Sequence, residues 1–388
     1  MRTSKTGTCL ALAFALSPAA AATAPGGPVR GLSPDELQRF TDGKAAFEEV
    51  EGVADGLGPV FNGTSCAGCH DGGATGGGSA KLETRFATVV DGVFDPMTSH
   101  GGPLIQIDGI GAQGACSFGG EVVPPEATLV ARRRTTPLFG LGLVDAVPDA
   151  RFVALAAQQA RRHPDTAGHP NMVADVVSGG VSVGRFGWKS QVPHLLQFSA
   201  DAYLNEMGIT TPLFPNENCP QGDCAALACL ATSGPDDADL DDVERFADFM
   251  GLLAPPERAR NGFVRDDSGR QLFARVGCAD CHVRSLTSGP SPFAALAFRR
   301  FEPYSDFLLH DMGSLGDGME QGQATGGEMR TAPLWGLRFV TTFLHDGRAA
   351  TVDDAILAHD GQGRGARDRF LKLPPSGRAA LVAFLRTL

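Results

Sequence analysis

No stretch of this 388-residue chain approaches the ~20 consecutive apolar residues that a membrane-spanning helix requires, so no membrane span is expected. Positive charge is also short: 33 Lys and Arg against 44 Asp and Glu leave a formal charge of −11. That balance argues against nucleic acid or an anionic membrane surface as partner. Strand-like alternation of apolar and polar residues does not recur convincingly, and tryptophan is limited to Trp188 and Trp335. The expected fold class is therefore mainly α with long loops.

Glycine and proline are abundant, at 50 and 26 residues. They imply long irregular connections, which a fold tolerates when a large buried cofactor supplies core volume. With 43% hydrophobic and 20% charged residues the chain reads as globular, and its length suits two or three domains. Arg2 and Lys5, the short apolar run Leu10 to Leu16 and the small residues from Ser17 to Ala24 read as a secretory signal peptide over 1–24. Cys9 precedes the apolar run, which speaks against a lipoprotein site. Export would place the mature protein in the periplasm, an oxidising space. Loss of Arg2 and Lys5 would move the charge from −11 to −13, a balance suited to a positively charged electron-transfer partner.

Ser33-Pro34-Asp35-Glu36 reads as a capping box with proline at the first helical position, opening a helix with Leu37, Phe40, Phe47 and Val50 at helical spacing. Further helices are expected over Pro148 to Arg162, with Phe152, Val153, Leu155 and Ala156 inward, over Asp237 to Leu253, and from Ser376 to Leu388. Pro212 to Pro235 reads as a connector, so an N-terminal domain over 25–235 and a C-terminal domain over 236–388 are expected.

Two C-x-x-C-H motifs stand in these two parts: Cys66-Ala67-Gly68-Cys69-His70 and Cys278-Ala279-Asp280-Cys281-His282. Thiols at i and i+3 form thioethers to the vinyl groups of a haem, and the adjacent histidine then lies under the iron. The chemistry predicted is two covalently bound haem c groups, with His70 and His282 as iron ligands. A shared zinc site is disfavoured because the two pairs are 212 residues apart and both carry a trailing histidine. A thioredoxin-like site would need a βαβ framework, and the flanks are loop-like. An internal repeat supports two units: Arg134-Thr135-Thr136-Pro137-Leu138-Phe139-Gly140-Leu141 parallels Arg330-Thr331-Ala332-Pro333-Leu334-Trp335-Gly336-Leu337. Cys116, Cys219, Cys224 and Cys229 remain, enough for two disulfides with three possible pairings.

Around the motifs lie Gly58-Pro59-Val60-Phe61-Asn62, Phe186-Gly187-Trp188-Lys189, Pro303-Tyr304-Ser305-Asp306, His310-Asp311-Met312-Gly313 and Phe343-Leu344-His345-Asp346-Gly347-Arg348-Ala349. With the two repeat segments, they make the chain resemble the di-haem oxidoreductases, also labelled thiol oxidoreductases, over most of its length. That family is related to bacterial di-haem cytochrome c peroxidases and to MauG-type enzymes. The resemblance implies two cytochrome c-like haem domains and an oxidoreductase in which one haem relays electrons and the other activates peroxide or oxidises a substrate. It implies a small redox protein or a quinol-linked donor or acceptor as partner, and calcium as a further candidate cofactor without an identified ligand set.

In the peroxidase relatives a distal ligand follows the His-Asp-Gly histidine by fourteen residues. Counting from His345 reaches His359, on a helix that Thr351 and Asp354 would cap. The expectation is a His282/His359 six-coordinate haem of lowered potential, with Met312 as the alternative axial ligand. The relatives' Gly-Pro-x-x-Asn-Pro-x-Glu segment is missing. Gln106, Glu121 or Glu126 are the candidates for acid–base work, and His100 for a distal ligand at the first haem. Trp188 and Trp335 are candidates for an electron relay, Arg134 and Arg330 for partners of haem propionates. Two other functions compete: an electron-transfer di-haem cytochrome without peroxidase activity, and a disulfide-rich binding protein in which haem is structural.

Overall fold

The computed structural model describes residues 25–230, 234–259 and 267–388. The expected signal peptide, Cys9 included, lies outside the described residues. Helices α1 (Pro34–Glu48), α2 (Leu141–Asp145), α3 (Asp149–Arg162), α4 (Leu195–Met207) and α5 (Asp241–Leu252) come from the first two thirds of the chain. Helices α6 (Ser268–Arg275), α7 (Val352–Leu357), α8 (Arg364–Leu371) and α9 (Pro375–Leu385) complete the set.

The capping box at α1 forms as expected. Glu36 N–H donates to Ser33 Oγ at 3.2 Å, and Ser33 N–H donates to Glu36 Oε2 at 2.7 Å. Phe40 and Phe47 are buried, but Leu37 and Val50 are exposed, because α1 ends at Glu48 and only one narrow stripe meets α5. Along that stripe Phe47 lies 4.9 Å from Phe249 and 6.2 Å from Phe246. Full burial of each such ring contributes roughly 1.5–3 kcal/mol. On α3, Phe152 and Leu155 face inward and Val153 does not.

α5 packs on α1, α4 and α2, although it follows the expected boundary at 235/236. The same core takes in Leu286, Phe301, Phe307, Leu308 and Trp335 from further along the chain. A smaller core joins α6, α8 and α9 with Tyr304 and Val352.

The expectation of a mainly α chain is not met: 35% of the structure is helix and 17% strand. Strand Leu82–Val90 pairs antiparallel with Leu129–Arg134 on one side and Val93–Asp95 on the other. Asn171–Asp175 pairs with Gly180–Gly184, and Leu309–Asp311 with Glu328–Arg330. These strands escape a periodicity argument because most are five residues or fewer. The nine-residue strand is covered on both faces at its centre and exposed at both ends, so it carries no period of two.

The disulfides pair Cys116 with Cys229 and Cys219 with Cys224. The first closes a loop of 113 residues and the second a loop of 5. On loop-closure entropy the long link is worth roughly 5 kcal/mol and the short one about 2. Replacing Cys116 and Cys229 together by serine should therefore lower stability more than replacing Cys219 and Cys224. Urea unfolding of the two double variants checks this, and equal losses would show that loop entropy is not the governing term.

Candidate functional site

The first motif is held on the end of α1. Ala67 N–H donates to Phe47 O at 3.0 Å, and the N–H groups of Cys69 and His70 both fold back onto Cys66 O at 3.1 and 3.0 Å. His70 packs against Phe47 with ring centroids 6.0 Å apart, and its Nδ1 is buried without a hydrogen-bond partner. Burial pushes its pKa down to about 4, so the ring is neutral, the form that binds metal. Burial likewise drives the Cys66 and Cys278 thiols up to about 12, so neither is a reactive thiolate; among the described residues the four cysteines outside disulfides are those of the two motifs.

A cleft of about 270 Å³ opens directly after His70, lined by Gly72, Gly78, Arg134, Phe139, Gly336 and Phe339 among others. Both repeat segments thus reach it. Arg134 donates to Thr342 O, while its buried Nε has no partner. A cationic donor aimed into an aromatic cleft beside C-x-x-C-H fits a planar group carrying carboxylates.

At the second motif His282 N–H donates to Cys278 O at 2.9 Å, repeating the turn of the first. His282 Nδ1–H donates to Tyr304 O at 3.0 Å and His359 Nδ1–H to Ala355 O at 2.7 Å, which leaves Nε2 of each ring free to bind a metal. The two ring centroids are 6.5 Å apart. Two imidazoles on one metal through bonds of about 2 Å would hold their centroids about 6 Å apart, so the spacing fits a shared iron. Burial lowers the pKa of both, that of His282 to about 4. Thr351 and Asp354 form a capping box at α7, and His359 follows the helix end. Met312 lies alongside: its methyl group and the His359 ring would both meet a Cβ at Gly363 at 3.2 Å. The two alternative ligands therefore share one neighbourhood.

A cluster the sequence reading missed surrounds Cys281. His310 Nδ1 is 3.4 Å from its sulfur, and His310 Nε2 is 3.0 Å from Asp306 Oδ2. Burial would depress the His310 pKa, but Asp306 beside it holds it well above the ordinary value. Among the described residues this is the one group of three or more His, Cys, Asp or Glu whose ligand atoms lie within 4.8 Å of one another. Its sulfur makes it unlike the all-oxygen shell of calcium. The signal available in the sequence is His310 itself, in His310-Asp311-Met312-Gly313.

Other expected residues are distributed differently. Gln106 is buried and donates to Asn205 O, while Glu121 accepts from the N–H groups of Gln106 and Gln221; both tie loops together. His100 sits by Ser99 on a short 3-10 turn, and Glu126 is exposed. Trp188 Nε1–H donates to Arg134 O at 2.9 Å, and Trp188 O accepts from Arg330 N–H at 2.8 Å, so Trp188 is bonded to both repeats. Arg330 donates to Gly187 O and Thr331 O and stacks on Phe307. Trp335 packs on Phe301 and over Gly140, where a Cβ would come within 2.9 Å of the indole.

Beside the first motif, Glu206 accepts from Asn62 Nδ2 at 2.8 Å, and Glu83 pairs with Arg85 at 2.7 Å. Burial, with the charge of Glu83 next to it, pushes Glu206 up to about 7. A carboxyl whose folded pKa is raised stabilises the fold fully below its unfolded value of about 4.3 and loses that contribution as pH rises through about 7. Stability should accordingly fall over that window, and Glu206→Gln should flatten the fall. Urea midpoints measured across the window check it; an unchanged slope in the variant would refute the assignment.

Residues 123–388 match the family described as "Di-haem oxidoreductase, putative peroxidase". No curated protein matches the chain. Similar solved structures include hydrazine synthase of Kuenenia stuttgartiensis, at 15% identity and TM-score 0.39, covering 98% of this chain and 100% of that one. A MauG-like protein associated with microbial copper homeostasis is similar at 15% identity and TM-score 0.40, covering 97% and 95%. With more than half of its length matched, the chain belongs to the di-haem oxidoreductase family.

Proposed function

We propose that this protein is an exported c-type cytochrome with peroxidase-like oxidoreductase activity, in which the two haems have different tasks. Cys66 and Cys69 would carry one haem over His70, and Cys278 and Cys281 the other between His282 and His359. The observation that carries this reading is the asymmetry of the two sites. Each motif histidine has a phenylalanine ring beside it, Phe47 at 6.0 Å and Phe273 at 6.3 Å, but among the described residues only His282 also has a second imidazole, at 6.5 Å. Bound haem supplies one-electron redox chemistry and, where a coordination position is open, an iron to which peroxide binds.

The chain's own contributions follow from the residues described. His282 and His359 are held by hydrogen bonds to main-chain carbonyls, which fix ring orientation and strengthen both as donors. Two strong nitrogen donors suit a low-potential electron relay. Phe47 excludes water from His70, and Arg134 offers an unpartnered N–H to a propionate. Trp188, bonded to the backbone of both repeat segments, joins the two sites. The donor of electrons would be a small redox protein or a quinol-linked carrier.

Electron paramagnetic resonance of the purified two-haem protein tests the proposal. One high-spin and one low-spin ferric signal in equal amounts are expected, and His359→Ala should convert the low-spin signal. Two low-spin signals in the oxidised state, with no high-spin signal in the oxidised or the half-reduced state, would favour a plain electron-transfer cytochrome instead.

A further inference from the structure

The chain has two tyrosines, Tyr203 and Tyr304, and both are 2% exposed. One lies in the core beside each motif, yet their phenols are treated in opposite ways. Tyr203, on α4, donates to Glu51 Oε1 at 3.1 Å, with Asp242 Oδ2 at 3.5 Å as a second acceptor. The Tyr304 hydroxyl is buried with no partner.

Glu51 is itself buried, and its N–H donates to Thr64 O at 2.7 Å, two residues before Cys66. A carboxylate in that position is costly to desolvate, and a phenylalanine at 203 would fill the same core without needing one. Rings connect the phenol to the motif: Tyr203 lies edge-on to Phe246 at 5.1 Å, Phe246 meets Phe47 at 6.2 Å, and Phe47 meets His70 at 6.0 Å.

We propose that Tyr203 is a redox-active residue that gives one electron to the His70 haem after hydrogen peroxide has oxidised that centre, and gives its phenolic proton to Glu51. The inference rests on the function proposed above. The step balances: the O–H bond of Tyr203 breaks, the electron reduces the haem centre by one equivalent, and the proton completes the carboxyl of Glu51. A neutral tyrosyl radical remains. Asp242, whose side chain is 35% exposed, then leads the proton toward water. Tyr304 has no acceptor, so its oxidation would leave a cation in an apolar pocket, a state that burial penalises heavily. It serves as the internal control.

The test is freeze-quench electron paramagnetic resonance of the two-haem protein mixed with hydrogen peroxide, with optical spectra of the haems recorded in parallel. Expected is a radical whose hyperfine pattern narrows when the tyrosines are ring-deuterated, which is lost in Tyr203→Phe and kept in Tyr304→Phe. Glu51→Gln keeps the shape but removes the base, and should reduce the yield several-fold. A shift of the haem spectra without a deuterium-sensitive radical, or a radical that survives Tyr203→Phe, overturns the proposal and leaves the proposed function standing. Haem spectra that do not respond to peroxide in any redox state overturn both. Ring deuteration of the unmutated protein decides the matter even if a variant fails to fold.

Discussion

Asp317 is a carboxylate at 1% exposure, gripped by Arg133 Nε at 2.6 Å and Lys189 Nζ at 3.1 Å, themselves 1% and 0% exposed. Lys189 also donates to the carbonyls of Thr325 and Glu328 at 2.8 and 2.6 Å. Withdrawing one partner from such a group strands a buried charge, at a cost of about 3–5 kcal/mol. The triad ties together three segments far apart in sequence: the strand ending at Arg134, the loop holding Trp188, and the loop that leads into Arg330. Arg134 and Trp188 each adjoin a member of the triad, and Arg330 lies two positions after the Glu328 carbonyl that Lys189 holds. Their placement depends on it.

From that anchor the two repeats follow in parallel. Gly140 and Gly336 have φ of 74° and 75°, a backbone that other residues adopt only with strain. Each turns the chain sharply after its Pro-Leu-aromatic run. At Gly140 the absence of a side chain also lets Trp335 of the other repeat lie over the backbone. The halves interlock through glycine in one and indole in the other, which explains why a single core runs across them. Two motifs 212 residues apart in sequence are thereby carried on one packed body.

What the sequence disclosed were features with a local cause. The α1 cap and the α7 cap each depend on residues three positions apart, and both form in the structure. Sheet content was illegible, because strands such as Leu309–Asp311 are too short to show a period. Burial of Arg133, Lys189 and Asp317 was equally hidden: charged residues are solvated by default, and only distant partners make their burial tolerable. His310 and Glu51 belong to the same class. Cys281 and Tyr203 lie 29 and 152 positions from them, so no spacing links those pairs; only Asp306, four positions before His310, is a local partner.

The two histidines of identical motifs differ through residues outside those motifs. His282 Nδ1 donates to Tyr304 O, 22 positions later, whereas His70 Nδ1 is buried with no acceptor. A hydrogen bond at Nδ1 gives the imidazole more anionic character and makes it the stronger donor to iron, favouring the oxidised metal. The facing His359, anchored in the same way, adds to this effect. In a haem-loaded protein both would push the C-terminal centre toward low potential, and an N-terminal centre without them would be easier to reduce. Under the proposed function, electrons would then flow downhill from the C-terminal to the N-terminal site. Direction would then come from main-chain carbonyls, not from the C-x-x-C-H motifs.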